Sequence, residues 1–263
     1  YINNDSLGEE LLSRVTTNTQ SKVDWLESEI GAKLIYILIP NTNEIYPEYM
    51  PDSIIQGSVS LREEVAGAFE AGGAYVIDMY DTLISHKDDQ LPIFHKTDSH
   101  WSEYGAYFAY QALFSYISGE FPDASPRDIS DFNFSLEQRY AGDLYYDTGL
   151  DITQLTVEST FSDIKFNTPV YLDKYASALE TRINEATMGS LSFSNTAALE
   201  LPDVYIMRDS YSVMMFDWIA ERCGESYFKP LWEFSFNTDE ILSYSPDYVI
   251  YIISDMNILS ILR

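Results

Sequence analysis

The chain has 263 residues, with 42 Asp and Glu against 15 Lys and Arg, and a formal net charge of −27 at pH 7. A surface that acidic repels phosphate backbones, which excludes nucleic acid as a partner and disfavours anionic membranes. The length suffices for a substantial α/β core, and no apolar run approaches the ~20 residues that span a bilayer.

Cys223 is the single cysteine, so no internal disulfide forms. Its setting, Trp218-Ile219-Ala220-Glu221-Arg222-Cys223, reads as the inner face of a helix and a buried thiol. The chain opens at Tyr1 without a signal-peptide pattern. It reads as a soluble portion whose targeting segment is missing.

In chain order, residues 8–30 place apolar side chains at Leu11, Leu12, Val15, Val23, Leu26 and Ile30, the period of an amphipathic helix. Lys33 to Ile39 is nearly all apolar and predicts a buried parallel strand, stopped by Pro40-Asn41. Ser60 to Ala71 is helical in pattern and ends at Gly72-Gly73. Ala74 to Asp78 predicts a second strand, and Pro92-Ile93-Phe94-His95 a short third one. Ser102 stands where an N-cap belongs, before a helix running to about Ile117. Leu201 to Met207 predicts a strand that feeds Ser210, Ser212 to Cys223 a helix, and Asp247 to Ile253 a last buried strand. Alternating strands and helices give an α/β fold with a mostly parallel central sheet. Residues 120–200 break the alternation, and we read them as an insertion within one domain spanning 1–263, lying over the carboxyl edge of the sheet.

Two places carry chemistry. Asp98 and His100 stand two residues apart in Lys96-Thr97-Asp98-Ser99-His100-Trp101, before the helix that holds Tyr104-Gly105-Ala106-Tyr107. A histidine acts as a general base near neutral pH if one ring N–H is fixed by a carboxylate. Taken alone, His100 reads first as a surface histidine beside an acid in an acid-rich chain. Ser210, in Arg208-Asp209-Ser210-Tyr211, stands at a strand-to-helix junction that exposes a hydroxyl beside backbone N–H groups. Taken alone, it reads first as an N-cap serine. No cofactor or metal is expected: no glycine-rich phosphate loop occurs, and three scattered histidines and one cysteine show no zinc spacing. His86 and His95 read as surface or packing residues, and Asp88-Asp89 as a solvated turn.

Together these segments resemble the SGNH-hydrolase-like polysaccharide O-acetyltransferases: the alginate O-acetyltransferase family and the related proteins named after an Asp-His-His-Trp motif. Ile39 to Pro51 looks like the first strand and loop of that family, Val76 to Leu83 like its second. The Asp98/His100 segment with Tyr104 to Tyr107 looks like its signature, and Arg208 to Tyr211 like its nucleophile block. Gly142-Asp143-Leu144 is similar too. Two positions depart from the pattern: Ser99 stands in place of a histidine, and Ser254-Asp255-Met256-Asn257 follows the last strand where a glutamate is expected.

The resemblance implies a three-layer SGNH-hydrolase-like fold with the catalytic motifs in circularly permuted order. It implies Ser210 as nucleophile, His100 as base and Asp98 as its orienting acid. The implied activity is transfer of acetyl groups to hydroxyls of an extracellular polysaccharide. A carbohydrate acetyl esterase, or a polysaccharide-binding module with an inactive triad, is the alternative. A membrane-bound O-acyltransferase is the implied donor system. The implied place is extracellular or periplasmic, with a membrane anchor in a segment absent from this chain. Asn41, at the carboxyl end of a strand, is the candidate oxyanion partner. Trp101 and Tyr104 are candidate stacking surfaces for sugar rings, or else core. Arg208 and Lys96 flank the site. The net charge favours a neutral acceptor over a heavily uronic one.

Overall fold

The computed structural model describes residues 6–54, 57, 60–96, 98–138, 160–166, 189–195, 199–230 and 235–262. Gly142-Asp143-Leu144 and Thr97 lie outside them, as does most of the expected insertion.

Helix α1 (Glu9–Ile30) leads into strand β1 (Lys33–Ile39) through Gly31, whose φ of 70° closes the helix in the left-handed conformation that glycine adopts without a Cβ penalty. The short helix α2 (Thr42–Ile45) follows, then α3 (Leu61–Ala71), strand β2 (Tyr75–Asp78) and helix α4 (Tyr80–His86). Helix α5 (Glu103–Ile117) begins at Ser102, whose hydroxyl accepts the Gly105 N–H at 3.2 Å, the N-cap expected there. Strands β3 (Phe132–Gln138) and β4 (Thr160–Phe166) pair antiparallel as a separate two-stranded sheet within the stretch read as an insertion. Then come β5 (Leu191–Ser194), β6 (Val204–Arg208), helix α6 (Phe216–Arg222), β7 (Glu225–Pro230), helix α7 (Thr238–Tyr244) and β8 (Tyr248–Ser254).

The main sheet runs β2-β1-β8-β6-β7-β5, parallel except for β5, which pairs antiparallel with β7 at the edge. Its strands alternate strictly between two cores, as a period of two residues requires. Ile35, Ile37, Ile206, Ile250 and Ile252 face the layer that contains α5 and α6. Leu34, Tyr36, Leu38, Met207, Val249 and Ile253 face the layer that contains α1 and α3. Both faces are covered, which is why these strands read as continuous apolar runs.

Two expectations are corrected. Pro92 to His95 is no strand of the sheet: it makes one isolated bridge, Phe94 to Trp101, because Ile93 spends its carbonyl on the Ser102 N–H. The helix expected over Ser212 to Cys223 starts as a 3-10 turn, Ser210–Met215, and becomes α-helical only at Phe216. Strand β5, at the edge, and β7 beside it follow no clear apolar pattern and are not among the expected strands. Cys223 is buried, as read. No described helix is long and apolar enough to cross a membrane.

Candidate active site

Strands β1 and β6 do not touch; both pair with β8. Their carboxyl ends flank that of β8, and such a crevice is where open α/β sheets bind ligands. Asn41 follows β1 and Ser210 follows β6.

His100 lies between Asp98 and Ser210. Its Nδ1 is 2.6 Å from Asp98 Oδ1 and its Nε2 is 2.7 Å from Ser210 Oγ. The same Asp98 oxygen accepts the His100 backbone N–H at 3.0 Å. One carboxylate oxygen thereby fixes both the main chain and the ring, and assigns the proton to Nδ1, leaving Nε2 as an acceptor for the serine hydroxyl. The Asp98 and His100 side chains remain 18% and 22% exposed, so solvent reaches the pair.

Packing holds the loop that carries them. Trp101 is fully buried and its indole N–H donates to the Tyr211 carbonyl at 2.8 Å. The Tyr211 hydroxyl donates to the Ser99 carbonyl, and its ring lies 4.8 Å from the His100 ring. The two ends of the site are tied across 110 residues of sequence. Gly105 is needed for this approach: a Cβ there would fall 2.3 Å from the Ile93 carbonyl oxygen.

Asp209, next to Ser210, is buried and accepts four hydrogen bonds. Oδ1 takes the Tyr211 N–H at 3.0 Å. Oδ2 takes the Ser254 N–H and hydroxyl, each at 2.7 Å, and the Asn257 amide at 3.1 Å. Sequence reading missed this role. Asp209 stands beside Ser210, but its partners are 45 and 48 residues away and carry no local signal.

The expected sugar platforms are corrected. Trp101 is 0% exposed, and Tyr104 is 8% exposed with its hydroxyl donating to Asp89 at 2.5 Å. Arg208 is fully buried, its guanidinium donating to the Gly189 carbonyl at 2.9 Å and lying 5.3 Å from the Phe216 ring. All three serve the interior because the loop and β6 need apolar and hydrogen-bonded backing. None offers a face to a sugar.

A cleft of about 1530 Å³ opens alongside. Ser99 and Tyr211, the sequence neighbours of His100 and Ser210, form one wall, and Asn41, Tyr46, Tyr49 and Lys96 line other parts. At its side Arg62, 1% exposed, is crowded by three carboxylates: Asp78, Glu44 at 3.7 Å and Asp255 at 3.6 Å. One buried cation does not offset three carboxylates crowded around it. Burial first, and then the neighbouring Glu44 carboxylate, raise the Asp255 acid far above the carboxylate range, so it stays protonated at neutral pH. No group of His, Cys, Asp or Glu among the described residues is arranged to hold a metal.

With this geometry established, the comparisons with known proteins are decisive for family. A family model described as the SGNH hydrolase-like domain of the acetyltransferase AlgX matches residues 12–199. The chain belongs to this family. The matched segment includes Asp98 and His100 and stops short of Ser210. Bacillus cereus PatB1 superimposes with a TM-score of 0.70 at 13% identity, over 96% of this chain and 92% of that one. A DHHW family protein from Eubacterium siraeum gives 0.65 at 17% identity, over 92% and 84%. The O-acetyltransferase domain of Pseudomonas putida AlgJ gives 0.60 at 17% identity, over 96% and 84%. At such identities the likeness is one of fold. A search of curated protein sequences finds no match. The expected SGNH-hydrolase-like architecture is therefore found.

Proposed function

We propose that this protein is a serine O-acyltransferase that moves an acetyl group through Ser210 to a hydroxyl of a polysaccharide outside the cytoplasm. The observation that carries this reading is the position of His100, within hydrogen-bond reach of Asp98 on one ring nitrogen and of Ser210 on the other.

In the first step Ser210 Oγ attacks the acyl carbonyl carbon while His100 Nε2 takes the hydroxyl proton. The tetrahedral intermediate collapses, the bond to the donor's leaving group breaks, and His100 returns the proton to that group. In the second step a sugar hydroxyl gives its proton to His100 and attacks the acyl-serine. The acyl–Oγ bond breaks and Ser210 recovers its proton from His100. Asp98 carries no proton through the cycle. It holds the imidazole in one tautomer and stabilises the transient imidazolium.

The negative oxygen of each intermediate needs donors. The Ser210 backbone N–H opens a 3-10 turn and supplies one. The Asn41 side chain, on the wall of the cleft at the end of β1, is our candidate for the other. A membrane-bound acyltransferase delivering the acetyl group, and a membrane anchor outside this chain, complete the reading.

The test is mass spectrometry of oligosaccharides incubated with the protein and an activated acetyl ester. Acetylated sugar that appears with wild type and not with Ser210→Ala supports transfer. Acetate alone, with no acetylated sugar, makes the protein an esterase. No turnover of the ester by wild type overturns the enzymatic reading.

A further inference from the structure

The cleft holds features the reaction does not use. At about 1530 Å³ it exceeds the ~300–1,000 Å³ typical of small-molecule sites, a volume that leaves room for several sugar rings. Tyr49 stands on its rim, 81% exposed. Met256 and Leu259, which also line the cleft, are exposed as well, so the ring belongs to a shared apolar rim and is a ready stacking surface. It is also backed: the Tyr46 ring lies 5.9 Å behind it at 30°. Tyr46 is fixed in turn by its hydroxyl bond to the Lys87 carbonyl at 3.2 Å and by an edge contact with Phe94.

Deeper in, Asp255 is 9% exposed, and its Oδ1 is buried without a hydrogen-bond partner among the described residues. A buried polar atom left unmatched calls for a partner from outside. The Asp255 carboxyl is hydrogen-bonded to Glu44, and the Oδ1 left over is an acceptor, which suits the O–H of a sugar and not the carboxylate of a uronate, which has no proton to give. The nearby cations are engaged. Arg62 is surrounded by Glu44, Asp78 and Asp255, and Lys87 pairs with Glu48 at 2.9 Å. A uronate approaching this part of the cleft meets acids, in a chain of net charge −27.

We propose that the cleft is the acceptor site for an uncharged glycan, with one ring stacked on Tyr49 and a hydroxyl of the chain bonded to the Asp255 carboxyl. This rests on the reading of Ser210 as the acyl carrier beside the same cleft, but it is tested by binding alone.

Binding of cellohexaose, chitohexaose and hexamannuronate is measured by calorimetry to wild type and to Ser210→Ala. At least one neutral hexamer is expected to bind both proteins alike, and more tightly than hexamannuronate. Tyr49→Ala, an exposed change with little bearing on folding, is expected to weaken that binding about tenfold. Asp255→Leu is expected to weaken it similarly, while Asp255→Asn, whose amide also donates and accepts, keeps it within about threefold. Tighter binding of hexamannuronate, no binding of either neutral hexamer, or unchanged affinity in Tyr49→Ala overturns the proposal. Neutral-glycan binding that depends on Tyr49, in a protein that turns over no acetyl ester, upholds the acceptor site and removes the transferase reading instead.

Discussion

A single carboxylate oxygen of Asp209 receives both the N–H and the O–H of Ser254, each at 2.7 Å. The residue before Ser210 is thereby pinned to the end of the central strand. Ser210 stands at the top of the sheet because its neighbour is bolted to β8, and its hydroxyl position follows from that attachment.

Asp209→Asn puts an amide N–H against the Tyr211 N–H that Oδ1 now accepts, the orientation that loses the fewest of the four bonds. Hydrogen bonds to a charged group contribute about 1.5–3 kcal/mol each, and losing one of the four is expected to lower the melting temperature by several degrees. Turnover of an acetyl ester is expected to fall in kcat with little change in KM, since the binding cleft is untouched. Wild-type kcat and melting temperature together would refute the anchoring role.

Ser210→Ala is expected to abolish ester turnover while leaving the circular dichroism spectrum intact. Asp98→Asn keeps the shape but loses the charge that holds His100, and a loss of about 10⁴ in kcat is expected, as for other triads with the wrong tautomer. Near-normal turnover in either variant rejects the assignment of roles.

Trp101→Phe deletes the indole N–H that reaches the Tyr211 carbonyl and leaves a void in a fully buried position. A cost of about 1–3 kcal/mol is expected, read as a lower urea midpoint at unchanged slope. Because the bond joins the His100 loop to the Ser210 turn, ester turnover should fall as well. A variant as stable as wild type would mean that the loop is held by other contacts.

Asp255 yields a pH prediction. The groups that face it are Glu44, Arg62 and Asp78. Its acid is raised in the folded state, so the folded chain holds a proton that the unfolded chain releases above about pH 4. Its contribution is fully present below that pH and is lost as pH rises toward the folded value. Asp255→Asn mimics the protonated form at every pH. The melting temperature of the variant relative to wild type is therefore expected to rise between pH 5 and pH 8. A difference that is flat or falls over that interval contradicts a protonated Asp255.

Much of the fold was legible in the sequence because the parallel strands are covered on both faces. Lys33–Ile39, Val204–Arg208 and Tyr248–Ser254 read as apolar runs for that reason. Strand β7 did not: Glu-Ser-Tyr-Phe-Lys-Pro hides a lysine, Lys229, that is buried only because Glu240 on α7 pairs with it. Pro92 to His95 looked like a strand because local pattern cannot tell a strand from an extended loop packed on a helix. At the site, the Asp98–His100 pair was visible as a spacing of two. The approach of Ser210, 110 residues on, was expected only through resemblance. The Arg62 cluster had no signature at all, since its members come from four separate segments and only folding gathers them.

Strand β8 joins β1 to β6, and it follows every other described strand in sequence. During synthesis the His100 loop and the Ser210 turn emerge first, with no strand yet available to bring them side by side and no Ser254 to receive Asp209. Asp98, His100 and Ser210 thus all precede in the chain the one strand that links the two halves of the sheet carrying them, so the site is assembled from the C-terminal end.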